Sequence, residues 1–256
     1  MSERLDAVAP RVLLLGGTEE ARALSHRCEG MTLVTSLAGV TTAPARYGGS
    51  VRLGGFGGAV GLAAYLRRDA KGAVIDATHP FAAQISRNAA RACAEADVPL
   101  LRLERPPWVA SANDRWISFD TVAAAIHALP AGATAFVAAG RSAAGISARG
   151  RRLILRAIEP PSDPAPGIEV LLARPPFTVA AEQDLFRREG VTHLICKNAG
   201  GTSGYAKLEA AATLGLPVHM VRRPPPLPVA RVETVDAALR WLADVANGAP
   251  NVVHGA

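Results

Sequence analysis

The sequence predicts an α/β protein made of two Rossmann-like domains, each with a mostly parallel sheet, and an active-site cleft between them. Three observations predict this. Short apolar runs alternate with helical stretches along the whole chain, and turn residues separate them. An apolar strand, Val12-Leu13-Leu14-Leu15, ends in Gly16-Gly17, and a helical stretch begins at once with Thr18-Glu19-Glu20-Ala21. The composition, 49% hydrophobic but only 5% aromatic over 256 residues, is rich in the small side chains that let helices lie close on both faces of a sheet.

Along the chain, residues 11–15 read as the first strand and 19–28 as a helix with two acids in its first turn, where the helix dipole favours them. A strand at 31–35, a Gly/Pro/Thr-rich loop and a short strand at 51–53 come next. A helix at 59–68 leads to a strand at 73–76, a long helix at 81–96 and a strand at 100–103. Arg105-Pro106-Pro107 stops that strand and marks a boundary. A second series has strands at 116–119, 135–138, 152–156, 170–172, 193–196 and 218–221, with helices at 121–129, 179–189, 207–214 and 235–246. The expected division is a nucleotide-binding domain at 10–107, a second α/β domain at 108–246 and a loose tail at 247–256.

Composition narrows the function classes. No apolar run approaches the ~18–20 residues that span a bilayer, and residues 1–9 have no apolar signal core, so the reading is cytoplasmic. Cys28, Cys93 and Cys196 are far apart and odd in number, against a disulfide framework. His193 and Cys196 point to opposite faces of one strand, so no metal site is expected. The net charge of +6 attracts anions in general. Its arginines are scattered, without stacked aromatics or a helix-turn-helix pattern, so nucleic acid is not the expected partner.

Five segments carry candidate chemistry. The Gly16-Gly17-Thr18-Glu19-Glu20 turn has the shape of a phosphate-binding first βα turn, although it lacks the G-x-G-x-x-G pattern; the alternative is a turn with no ligand. The second strand ends in Thr35-Ser36-Leu37-Ala38-Gly39, with no acid for a ribose 2′-hydroxyl. That leaves room for a 2′-phosphate on Thr35, Ser36 and Gly39 and favours NADPH over NADH, unless these hydroxyls only cap a helix. The glycine-rich run from Arg46 to Gly58 puts Arg46 and Arg52 beside a flexible backbone, where they suit carboxylate or phosphate; a solvated loop is the alternative. Asp76-Ala77-Thr78-His79-Pro80 lies at the carboxyl end of a strand, where open α/β sheets bind ligands. His79 there is a proton-donor candidate or a passive neighbour of a helix cap. In the second half, Lys197-Asn198-Ala199-Gly200-Gly201 repeats the strand-to-glycine-loop pattern with a cation at the strand end. The chain has neither a Gly-x-Ser-x-Gly elbow, a P-loop, nor a Tyr-x3-Lys pair.

Taken together, Leu14-Leu15-Gly16-Gly17-Thr18-Glu19-Glu20-Ala21, Thr35-Ser36-Leu37-Ala38-Gly39, Arg52-Leu53-Gly54-Gly55-Phe56-Gly57-Gly58, Asp76-Ala77-Thr78-His79-Pro80-Phe81-Ala82, Arg102-Leu103-Glu104-Arg105-Pro106 and Lys197-Asn198-Ala199-Gly200-Gly201 resemble the precorrin-6A reductase family of cobalamin biosynthesis, in the same order along the chain. The resemblance implies NADPH as cofactor and hydride delivery to C19 of precorrin-6A, with a proton reaching C18, to give precorrin-6B. It implies a polycarboxylate corrinoid as substrate, which suits the basic balance, and hand-over contacts with neighbouring enzymes of that pathway. It places Gly16, Gly17, Thr18 and Glu20 at the cofactor's phosphates or ribose, Thr35, Ser36 and Gly39 around the 2′-phosphate, and Asp76, Thr78 and His79 near the nicotinamide. Arg46, Arg52, Lys197, Asn198, Gly200 and Gly201 are then expected to bind substrate. The proton donor is His79, a bound water or the substrate itself, and no metal is expected in the protein. Cobalt-precorrin-6A is the alternative substrate. The rival classes are a non-catalytic NADP-binding sensor, an S-adenosylmethionine-dependent methyltransferase and a basic nucleic-acid-binding protein.

Overall fold

The structure, a computed structural model, describes residues 11–28, 30–39 and 46–248. The N-terminal segment, part of the loop before the third strand and the expected tail beyond Gly248 lie outside these residues. The chain forms two compact units. One comprises the N-terminal part up to Arg105 together with the segment from Pro224 onward, and the other is Pro106–Arg223.

The first unit is built on the strands β1 (Arg11–Leu15), β2 (Thr32–Leu37), β3 (Ser50–Leu53), β4 (Ala73–Asp76), β5 (Leu100–Leu103) and β12 (Ala230–Val232). Their order across the sheet is β12-β5-β4-β1-β2-β3 and every pairing is parallel. Because neighbouring residues of β1 face opposite ways, Val12 and Leu14 pack under α1 (Glu19–Arg27) and α7 (Val235–Ala246). Leu13 and Leu15 pack under α2 (Gly58–Arg68) and α3 (Ala83–Ala96). All four side chains are buried, as expected for a central parallel strand covered on both sides.

The second unit holds β6 (Trp116–Phe119), β7 (Thr134–Ala138), β8 (Arg152–Ala157), β9 (Ile168–Leu172), β10 (His193–Lys197) and β11 (Val218–Val221), in the order β6-β11-β10-β7-β8-β9, again parallel throughout. Its helices are α4 (Val122–His127), α5 (Val179–Arg188) and α6 (Ala206–Thr213). Phe136, Phe186, Leu194 and Met220 centre its core.

The two sheets have one pattern. In each, a first strand has two neighbours running away on one side and three on the other, and the sixth strand sits at the edge beside the fifth. The sixth strands are exchanged in chain order. β6 follows β5 but pairs with β11, and β12 follows β11 but pairs with β5. The expected two α/β sheets are present. The expected boundary differs, because residues 224–246 join the first unit rather than the second. β12 has no counterpart among the expected strands: it is three residues long, has Arg231 at its middle and follows a proline run, so it shows no apolar periodicity. Among the described residues, no helix is long and apolar enough to cross a membrane, and no group of acidic, histidine or cysteine side chains is arranged to hold a metal.

Candidate functional site

In the first unit the strand order reverses between β1 and β4, and the loops after these two strands form the carboxyl-end crevice where α/β sheets take ligands. The Thr18 side chain caps α1 by accepting from the N–H of Ala21 at 3.1 Å and donates to the carbonyl of Ala77 at 2.8 Å, tying the two loops together. A Cβ at Gly16 would lie 3.0 Å from both Thr35 Cγ2 and Leu37 Cδ2, so any side chain there would crowd β2. Gly17 has φ +119°, and a Cβ built on it would meet nothing within 4 Å. The tight turn thus leaves open space over Gly17 at a helix N-terminus, the arrangement that receives phosphate. Tyr47 stands beside it. Burial pushes its phenol up, partly offset by the Gly17 N–H donating to it and by nearby Arg22. Glu20 does not stand alone: it pairs with Arg105 at 2.7 Å.

At the end of β2 the structure separates the expected residues. Ser36 is itself buried, at 6% exposure, and Arg52, its register partner on β3, donates to its hydroxyl at 3.3 Å. The Arg52 guanidinium also holds the carbonyls of Gly54 and Gly55 and lies 3.9 Å from the Phe56 ring centroid. Gly39 follows in the left-handed region, at φ +72°. Thr35, the preceding residue of β2, faces the other side of the sheet. It is fully buried in the sheet, its methyl against Gly16 and its hydroxyl without a hydrogen-bond partner. β2 lies between β1 and β3, so both of its edges are paired, and the Thr35 side chain is covered on its own face. Arg46 is exposed, and His26 Nε2 lies 3.3 Å from its carbonyl.

Asp76 points into the protein. Its carboxylate pairs with Arg102 at 2.7 Å and accepts from the N–H and hydroxyl of Thr78 at 3.0 and 2.7 Å. Arg102 also donates to Thr78 Oγ1, Ser86 Oγ and Glu104. Asp76, Thr78 and Arg102 are all under 9% exposed, so the network is buried and paired. It sets the path of the loop that carries His79, whose Nδ1 accepts from the N–H of Phe81 at 3.2 Å. Thr78 does not cap a helix; α3 starts later than expected, at Ala83. Sequence reasoning assigned no role to Arg102. The available signal was an arginine inside the otherwise apolar strand Leu100-Leu101-Arg102-Leu103, which requires a buried partner.

In the second unit the loop after β10 sits at the same reversal point, between β7 and β10. Burial lowers the pKa of the Lys197 amine at the strand end. The Asn198 side chain is turned to the backbone of Trp108, accepting from its N–H at 2.8 Å and donating to its carbonyl at 2.9 Å. Trp108 Nε1 donates to the carbonyl of Gly201 at 2.7 Å. Arg223 donates to the carbonyls of Asn198, Ala199 and Pro106. A Cβ at Gly200 would overlap the Pro106 carbonyl and lie 2.5 Å from Arg223 Nη2. The glycines here admit the chain's own Pro106–Trp108 segment. Lys207 is buried against it, 4.8 Å from the Trp108 ring centroid and donating to the Gly204 carbonyl, which gives this lysine at a helix start its reason.

A family model described as precorrin-6x reductase CbiJ/CobK matches residues 11–243. The chain is similar to the precorrin-6A reductase of Rhodobacter capsulatus, with 45% identity over 91% of this chain and 96% of that protein. It is equally similar, at 45%, to that of Rhodococcus erythropolis, covering 91% and 97%. A solved structure named CobK precorrin-6A reductase superposes with a TM-score of 0.85 at 44% identity, covering 94% of this chain and 98% of that one.

Proposed function

The chain belongs to the precorrin-6x reductase family, and from that premise we propose that it is the NADPH-dependent reductase of metal-free precorrin-6A. As a member it is an oxidoreductase of cobalamin biosynthesis whose chemistry calls for a nicotinamide cofactor. When bound, the reduced nicotinamide supplies hydride to C19 of the macrocycle, and a proton reaches C18. The observation that carries the reading is the first-unit crevice: a glycine turn open at Gly17, a helix N-terminus capped by Thr18, and a β2 end with Ser36 and Arg52 in place of an acid.

Gly17 and the first turn of α1 offer N–H groups and helix dipole to a pyrophosphate. Ser36 and Arg52 suit the adenosine 2′-phosphate, through a hydroxyl and a forked guanidinium. Arg52 therefore stands with the cofactor residues rather than with the substrate. Asp76 and Thr78, consumed by Arg102, act as supports that orient the His79 loop. In this reading His79 on that loop is the candidate that holds or passes a proton toward C18, a bound water or the substrate itself being the alternatives. Preference for the metal-free substrate is supported by the names of the relatives at 45% identity.

The test monitors absorbance of the reduced nicotinamide with purified protein and precorrin-6A, with NADH and cobalt-precorrin-6A run in parallel. Substrate-dependent oxidation preferring NADPH, with the corrinoid gaining two mass units, is the expected result. Cofactor binding without consumption on either corrinoid would leave a sensor instead. Replacing Arg52 with Ala is expected to raise KM for NADPH about tenfold and that for NADH little.

A further inference from the structure

On the α2–α3 face of the first sheet, one crossover helix is missing. β4 reaches β5 through α3, but the connection from β5 to β12 leaves the unit after Arg105 and returns at Pro224 without a helix. Three consecutive prolines, Pro224-Pro225-Pro226, keep the returning run out of a helix. Its Val229 packs on the same apolar cluster as α2 and α3. Where a helix would fill the space beside α3, a cavity of about 280 Å³ remains. Pro80, beside His79, is on its wall.

The lining is divided. Leu227 and Val229 give an apolar side; Arg87, Arg102, Glu104 and Arg231 give a charged one. Arg102 is committed to Asp76 at 2.7 Å and Glu104 at 3.0 Å, and Arg231 approaches Glu104 only to 3.8 Å. Arg87 donates to the neutral Gln84 amide oxygen at 3.1 Å. The three guanidiniums of Arg87, Arg102 and Arg231 against the two carboxylates of Asp76 and Glu104 leave one positive charge over. The volume falls just below the roughly 300–1,000 Å³ of pockets that take a whole ligand, and suits an arm of a larger molecule.

We propose that this cavity receives one carboxylate arm of the macrocyclic substrate, with Arg87 and Arg231 pairing its carboxylate and Leu227 and Val229 packing on its methylenes. The proposal rests on the functional reading above, since that reading supplies a polycarboxylate substrate. Charge complementarity selects an anion, and the apolar side selects one on a short aliphatic stem rather than a bare inorganic ion.

Arg87 and Arg231 are both exposed, so their replacement leaves the core intact. Arg87→Ala and Arg231→Ala are each expected to raise KM for precorrin-6A about five- to tenfold, with kcat and KM for NADPH within about twofold of the parent. Arg87→Lys should recover most of the loss. Equilibrium binding of precorrin-6A, read from its absorption change without NADPH, should weaken by the same factor. Unchanged KM and binding in both alanine variants would overturn the proposal. So would a rise confined to KM for NADPH, which would give the cavity to the cofactor. Parent protein that binds precorrin-6A but never oxidises NADPH would sink the reductase reading alone, and the binding comparison would still judge the cavity.

Discussion

In the first unit, β1 runs through Gly16 and Gly17 straight into α1, whose N-terminus looks onto the point where the strand order reverses. In the second unit, β7 holds the same place in the order but runs into the 3-10 turn Gly140–Ala143, and no α-helix intervenes before β8. A single short turn aligns few peptide dipoles and presents no ring of N–H groups to an anion. The other loop at that reversal point is occupied by Trp108, Asn198 and Arg223. Equal topology therefore gives two crevices, of which the first alone has an α-helix starting directly after its first strand. Strand order makes the space, and the element after the first strand, helix or short turn, decides which groups face it.

The largest expected effects come from the buried ion pairs, one in each unit. Arg102→Met strands Asp76, and Arg156→Met strands Glu182, which is 2% exposed and paired at 2.5 Å. Each is expected to cost about 3–5 kcal/mol in denaturant melts. The comparison predicts a split in the surviving function: at a temperature where both variants are folded, the Arg156 variant keeps its KM for NADPH while the Arg102 variant loses turnover through the displaced His79 loop. Equal kinetic damage would break the assignment of roles.

Glycine substitutions sharpen the same contrast. Gly200→Ala forces a methyl into Pro106 at φ +68° and should cost about 2–4 kcal/mol of stability. Gly17→Ala meets no neighbour, so its loss is backbone strain at φ +119° alone, about 1–3 kcal/mol, while NADPH affinity falls at least tenfold. Calorimetry beside cofactor titration separates the two. Asn198→Ala leaves the N–H and carbonyl of Trp108 without their partners and should cost about 1–3 kcal/mol. Thr18→Ala removes a cap worth about 1 kcal/mol and its bond to Ala77, with a rise in KM for NADPH beyond the stability change.

The smallest effect is a pH dependence confined to the second unit. Burial first, then His219 and Arg115, lower the pKa of His193, so the folded chain favours the neutral ring. The unfolded chain then binds more protons around the ordinary histidine pKa, and stability falls as pH drops through about 6.5 and below. Thermal melts from about pH 7.5 to 5.5 should show this slope, and His193→Gln should flatten it. An unchanged slope in that variant would place the titrating group elsewhere.

How much of this could be read from the chain depends on how far apart the partners lie. Strands such as β1, β4 and β11 announce themselves because four or five consecutive residues, mostly apolar, have turn signals on both sides. The Gly16–Gly17 turn is equally local. Asn198 and Trp108 meet across 90 residues and Arg102 and Thr78 across 24, and no periodicity encodes such pairs. Their polar residues therefore read as free to meet a ligand when the fold had already used them. Thr35 misleads for a related reason: its hydroxyl looks like a loop donor until β2 is seen to run on to Leu37, which leaves Thr35 inside the sheet against Gly16. The loop glycines at 200 and 201 were legible as a place for a ligand, whereas the segment that packs on this loop, Pro106–Trp108, was not.

The exchanged sixth strands bear on how the chain is made. A ribosome that has released residues up to Arg105 has supplied five strands of the first sheet, yet β5 has no outer neighbour until β12 emerges more than a hundred residues later. Throughout that interval β5 offers an open row of backbone donors and acceptors. The second sheet waits for nothing, since β6 is made before the rest of it. Synthesis from the N-terminus should therefore finish the second unit first, against the order of the sequence. Shortening the chain from its C-terminal end would injure the half that was translated first.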